Sequence, residues 1–421
     1  MTRQFWLRIG PWLAFLIAAV AYYPRFAKPG GIDLYSHAGS CLWQQQPLQQ
    51  CVLEFTYPPA FAFVMIPFIA LSVTAQTVVW YVISLTCAII SCVLSEKIAL
   101  RLFPGPWSTR DIIWLRVLGV LLSLKFILAV YENQAYDLLI LPFILLGTLA
   151  LIDKREIVGG ASLAIAAAMK VTPLIFLPYL IVRRKFLATG IFIAVLIAAS
   201  FIQDAFLTPQ GAPHGYFVTW INDVALAGVL EKGATARLPF WDGANIYNLS
   251  LRGTLARAVS ETDYQQYFLT ILRGTQLAFI GLIGILILFS MRSKVLIPVE
   301  VCLLIIAMLM LSPMTSRTHF VNLILPYFLL VAAWLKDRQT KWLGATVLFL
   351  SFAGCTGIPR DLVPKGFTEY ARDHNDILLG TLVLIIYLAA IIFRPIQWGI
   401  GQDAVRADGT EATAHSSTLR S

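Results

Sequence analysis

Thirteen apolar runs, at 9–23, 58–73, 76–96, 112–131, 134–152, 157–169, 171–182, 186–202, 271–291, 295–311, 319–335, 342–356 and 377–394, limit what this chain can fold into. A membrane-spanning helix needs about 20 apolar residues. In lipid only helices and closed barrels satisfy the backbone. These runs are continuous rather than alternating, so they predict helices: an all-α polytopic membrane protein with about 12–13 transmembrane or half-membrane helices. Composition agrees, since 58% of the 421 residues are hydrophobic and 13% are charged. Soluble domains carry about 25% charge. A soluble globular enzyme, a disordered protein and a nucleic-acid-binding domain are excluded. The basic start MTRQFWLRIG is signal-like, but no small-residue cleavage site follows. It predicts an uncleaved first span.

The net charge of +9 belongs to the loops. Cytoplasmic loops are enriched in Lys and Arg. Arg3, Arg8, Lys154, Arg155, Arg183, Arg184, Lys185, Arg292, Lys294, Lys336, Arg338 and Lys341 therefore mark one inside face. Segments 24–57, 203–270, 312–318 and 357–376 fall outside. The count forward from residue 1 and the count backward from Lys154 disagree by one crossing. The expected culprit is 112–131, which holds Arg116 and Lys125 and reads as two half-helices or a re-entrant segment. Residues 1–400 read as one transmembrane domain and the polar 401–421 as a disordered tail.

Polar residues at membrane depth are costly and need an explanation. Asp33 follows Gly30-Gly31 after the first span, with Tyr35 and His37 on the short helix it begins. Asp33 is either a helix cap or a presented carboxylate. Tyr57-Pro58-Pro59 opens the next run. Cys41 and Cys51 lie between and are free to pair outside the cytoplasm. Glu132, Asn133, Gln134 and Asp137 form a polar junction. They read as helix-end groups or as a sugar subsite. Lys170 is a lone cation between apolar helices, so it either snorkels to the interface or binds an anion such as phosphate. Ser312-Pro313 precedes Arg317 and His319, a fork of donors and a titratable ring. The outside loop adds Asn245, Asn248 and the aromatics Tyr216, Trp220, Phe240, Trp241 and Tyr247. Such aromatics serve carbohydrate surfaces and membrane-interface belts alike.

Taken in order, these segments resemble glycosyltransferase family 87. They are Asp33 with Tyr35, Tyr57-Pro58-Pro59, Asn133-Gln134, Lys170-Val171-Thr172-Pro173, Asn248-Leu249-Ser250, and Ser312-Pro313 with His319. The likeness runs from about residue 10 to 340, with Asn133 where the family more often has glycine. It implies a GT-C-like helical bundle with a catalytic first extracytoplasmic loop, in a bacterial inner membrane with its active site on the outer face. The implied activity is inverting transfer of a mannose- or arabinofuranose-like sugar. The donor would be a polyprenyl-phosphate sugar. The acceptor would be a hydroxyl of a lipid-linked or cell-envelope glycan. Asp33 would be the general base. Lys170, Arg317 and His319 would surround the leaving phosphate, without a metal or other cofactor. Tyr35, His37, Tyr57, Asn133, Gln134, Asn245 and Asn248 would hold substrate. The competing reading is a transporter or flippase of lipid-linked sugars. That predicts polar groups on both sides of the midplane and repeat symmetry, and neither is visible.

Overall fold

A computed structural model describes residues 3–211, 213–226, 245–260, 262–336, 341–356, 366 and 375–394. Phe240, Trp241 and the 401–421 tail lie outside the described residues. Every regular element among the described residues is helical. Seven helical segments are long and apolar enough to cross a membrane, and six shorter apolar ones accompany them. The protein is a multi-pass membrane protein.

The first half comprises α1 (Arg3–Phe26), α2 (Gly31–Trp43), α3 (Leu48–Cys51), α4 (Pro59–Met65), α5 (Val73–Leu102), α6 (Thr109–Asn133), α7 (Asp137–Ile152), α8 (Glu156–Met169), α9 (Phe176–Val182) and α10 (Phe186–Phe206). Then come α11 (Tyr216–Trp220), α12 (Leu251–Val259), α13 (Phe268–Ser290), α14 (Ile297–Leu311), α15 (Ile324–Lys336), α16 (Lys341–Thr356) and α17 (Asp376–Phe393).

Cross-links between loops define two ends of the bundle. At the basic end, Arg101 pairs with Asp153 at 2.8 Å and Lys185 with Glu156 at 2.9 Å. Arg183 donates to the Ser293 carbonyl at 3.1 Å, and Lys336 to that of Pro106 at 2.8 Å. Arg101, Pro106 and the basic loops after α7, α9, α13 and α15 therefore share one end. The Lys185–Glu156 pair also makes α8 and α9 a hairpin, as the break at Pro173 predicts.

This arrangement corrects the count of crossings. The run 112–131 belongs to one unbroken helix, α6. Its Arg116 is neutralised inside the bundle by a bidentate pair with Glu96 of α5, 2.8 Å on each arm. The segment that does not cross is 58–73. Its helical part, α4 and the 3-10 turn Ile66–Ala70, is 12 residues. The segment's length, close to that of the passing Thr172–Val182, does not decide the matter; contact does, because Lys28 after α1 and Val73 and Thr74 at the start of α5 line one cleft. Pro67 disrupts the helical part, and Ser72 then caps α5 by accepting from the Ala75 N–H at 3.3 Å. The segment packs on α2, where Gly39 lets the chains touch. A Cβ there would lie 3.0 Å from the Met65 carbonyl carbon. With this segment held at one end, twelve passes (α1, α5–α10 and α13–α17) alternate consistently.

Candidate active site

A cavity of about 590 Å³ opens at the end opposite the basic loops. One wall is apolar, from Leu34, Val171, Trp220, Val224, Ala225 and Leu226. Glu54, Thr56, Tyr57, Tyr136, Lys170, Thr172, Ser312, Ser316 and His319 supply the polar groups.

Lys170 sits at the break between α8 and the 3-10 turn Thr172–Ile175, in extended conformation. It is 8% exposed. Its Nζ lies 2.5 Å from the Asp137 carboxylate and 5.2 Å over the Tyr136 ring. Asp137, 2% exposed, is thus the anion that makes a cation tolerable here. An ammonium has three donors, so the pair leaves capacity toward the cavity. His319 is held by its other nitrogen: the Ser316 N–H donates to Nδ1 at 3.1 Å. An accepting Nδ1 puts the proton of the neutral ring on Nε2. The hydroxyls of Tyr136 and Thr172 are buried in the cavity wall without a hydrogen-bond partner among the described residues. Neither oxygen is open to the cavity, so both residues present carbon surface to it.

Tyr57 belongs to an aromatic cluster with Tyr35 (5.8 Å between centroids), Phe61 (5.9 Å) and Tyr136 (4.5 Å). Burial first, then the nearby Asp137 charge, pushes the Tyr57 hydroxyl up to about 12. Burial likewise raises Tyr35 and Tyr136. All three are neutral hydrogen-bonding groups near pH 7.

The other expected residues lie elsewhere. Asp33 is exposed on α2, and its Oδ2 accepts from the Gly30 N–H at 3.3 Å as a cap. It lines a separate cleft of about 240 Å³ with Tyr23, Lys28, Thr74 and Thr77, although its neighbour Leu34 lines the main cavity. Among the described residues, Glu54 is the carboxylate on the main cavity's surface. Arg317 is exposed and outside both linings, in the electrostatic neighbourhood of Lys125 and Asp376. His37 is exposed beside the Cys41–Cys51 disulfide. Its ring nitrogen and the two sulfurs lie within 4.8 Å of one another. Those sulfurs are bonded to each other, so the trio is no metal ligand set. The disulfide ties α2 to α3, just before Glu54 and Tyr57.

Three amides expected to hold substrate are occupied by the protein. Gln134 is 1% exposed. It donates to the Phe26 and Lys28 carbonyls, both at 2.7 Å, and accepts from the Ile32 N–H at 3.2 Å. It therefore joins the end of α1 to the start of α2. Gly30-Gly31 serves this joint, since a Cβ on Gly31 would lie 2.8 Å from the Gln134 carbonyl oxygen. Asn248 is fully buried. It donates to the Pro313 carbonyl at 3.0 Å and accepts from the Ser250 and Thr315 N–H groups, clamping two loops at the cavity rim. Asn133 donates to the Ala129 carbonyl at 2.8 Å on its own helix. Asn245 is outside the lining and accepts from the Tyr247 N–H at 2.8 Å.

A largely apolar cavity with an ordered cation and a fixed imidazole at one end of a helical membrane bundle has the makings of a membrane-embedded transferase site. The family comparison agrees: the sequence model of glycosyltransferase family 87 matches residues 55–316, more than half of the chain, and the chain belongs to that family. It is a membrane glycosyltransferase. Among solved structures, it is similar at 12% identity and a TM-score of 0.38 to ArnT from Cupriavidus metallidurans, whose crystal structure is bound to undecaprenyl phosphate. That alignment covers 91% of this chain and 77% of the other. No curated protein matches the chain.

Proposed function

We propose that the protein is an inverting glycosyltransferase that moves a mannose- or arabinofuranose-like sugar from a polyprenyl-phosphate donor to a hydroxyl of a lipid-linked or cell-envelope glycan. The carrying observation is the cavity itself. Lys170 and His319 line a space together with Leu34, Val171, Trp220 and Val224, whose apolar surface suits a hydrocarbon chain. Lys170 and His319 suit the phosphodiester of the donor lipid, whose phosphate becomes a monoester and gains a negative charge as its bond to the sugar breaks. With the basic end in the cytoplasm, the cavity faces outside, where a lipid-carried sugar is accessible.

In this reading the acceptor oxygen attacks the anomeric carbon and forms the new glycosidic bond. The bond from that carbon to the phosphate oxygen breaks, and the lipid phosphate leaves carrying the electron pair. The hydroxyl proton passes to a carboxylate. The family resemblance assigns that role to Asp33, which lies in the separate cleft, whereas the carboxylate on the cavity's own surface is Glu54; comparing Asp33→Asn with Glu54→Gln tells the two apart. One displacement inverts the anomeric carbon.

The test is transfer of radiolabel from polyprenyl-phosphate mannose and polyprenyl-phosphate arabinofuranose in membranes carrying wild type or His319→Ala. Label should enter a new product with wild type and fall about a hundredfold with the variant. Equal transfer by both would remove the cavity from the chemistry. Transfer from nucleotide sugars only would overturn the donor class.

A further inference from the structure

At the basic end, far along α6 from the active site, lies a second cavity of about 520 Å³. Arg110 and Asp111 from the first turn of α6 line it, as do Trp114 and Leu118 one and two turns deeper. Trp334 at the end of α15 and Lys341 at the start of α16 face them. From Arg110 to Leu118 the wall runs about 12 Å along the helix. The cavity is an open groove in which Arg110 and Lys341 accompany the exposed Trp114, the half-buried Trp334 and Leu118.

Asp111 also lines the groove and contributes its negative charge; it accepts from the Ser108 hydroxyl at 2.7 Å, part of the cap of α6, and acts on Lys336 beyond the lining, so Arg110 and Lys341 leave the lining with one more cation than anions. The rim is also fixed. Lys336 donates to the Pro106 carbonyl at 2.8 Å and lies 4.2 Å over the Trp107 ring. That locks the end of α15 against the loop before α6. Two cations over two indoles, at the level where helices leave the membrane, match an anionic headgroup with the start of its acyl chains. A soluble anion would satisfy the cations and leave the apolar wall without a partner.

We infer that this cavity binds one anionic phospholipid, its phosphodiester between Arg110 and Lys341 and its chains along Trp114 and Leu118. The inference does not depend on the transfer reaction. Native mass spectrometry of the full chain in detergent, titrated with phosphatidylglycerol or phosphatidylcholine, tests it. Wild type should retain one phosphatidylglycerol in preference to phosphatidylcholine. The pair Arg110→Gln with Lys341→Gln should weaken that binding on the order of tenfold or more. Trp114→Ala should weaken it while leaving both charges. The pair Arg292→Gln with Lys294→Gln removes two exposed cations from the same end but outside the cavity, and should leave binding as in wild type. Equal loss with both double variants would reduce the effect to the general positive field and overturn the site. So would an unchanged affinity for the cavity variant, or displacement of the lipid by millimolar inorganic phosphate.

Discussion

Replacing both members of the Lys170–Asp137 pair should leave a folded protein that cannot transfer sugar. Lys170 is 8% exposed, Asp137 is 2% exposed, and their charged atoms are 2.5 Å apart. Removing one partner of a buried pair costs about 3–5 kcal/mol, because an uncompensated charge remains. Replacing both with apolar residues of similar volume is close to neutral. Lys170→Met alone and Asp137→Leu alone should therefore each lose about 3 kcal/mol or more, and the double variant about 1 kcal/mol or less. The coupling would be about 5 kcal/mol, well above the error of a double-mutant cycle. Unfolding in mixed detergent micelles, followed by far-UV circular dichroism, measures the cycle. The double variant then separates folding from chemistry. With its stability restored, it should still transfer about a hundredfold more slowly, for want of the Lys170 donors. Costs that simply add would show that the pair is not formed. Wild-type transfer by the double variant would show that Lys170 does not serve the phosphate.

Three further outcomes are expected. Asp33→Asn should abolish transfer and Glu54→Gln should leave most of it; the reverse pattern in kcat would make the cavity-lining Glu54 the base. Ser72→Cys should react with an impermeant maleimide from the same face as Lys28→Cys, whereas labelling from opposite faces would mean that 59–70 crosses after all. Replacing Cys41 and Cys51 together with serine opens a loop of sequence separation 10. Loop entropy puts the loss near 2.5 kcal/mol. An unchanged unfolding midpoint on reduction would show that the disulfide carries no stability.

Most of the helical architecture was legible because a run of apolar residues in lipid has little choice of structure. The exception, 58–73, is instructive. It is apolar enough to span, but it packs on α2 and stays at one end, where Lys28 and Thr74 share a cleft. Suspicion fell instead on Arg116, whose partner Glu96 stands 20 residues away on another helix. The site was legible in part. Lys170, Tyr57 and His319 were named from their setting and do meet at one cavity. Asp137 was seen only as part of a polar junction, since nothing local links it to a lysine 33 residues on. Arg317 and His319 looked like a pair in sequence. They occupy a 3-10 turn, Arg317–Leu323. Residues two apart there point about 120° apart around the axis, and Arg317 lies outside the cavity lining that holds His319. Gln134 and Asn248 have residue types suited to sugars, but their amides are taken by backbone groups brought close only by the fold. Thr172, Ser316 and Glu54 carried no signal beyond their proximity to named motifs.

The segment Pro59–Ala70 also acts as a parity bit. Each true crossing reverses the direction of everything after it, so one segment of 12 residues sets the compartment in which Lys170 and His319 emerge. Were it to cross, the parity of the chain would change from that point on. Every later helix would then enter the bilayer upside down, with its basic loops on the wrong face. A change that made it cross would be lethal to function without touching any residue of the site.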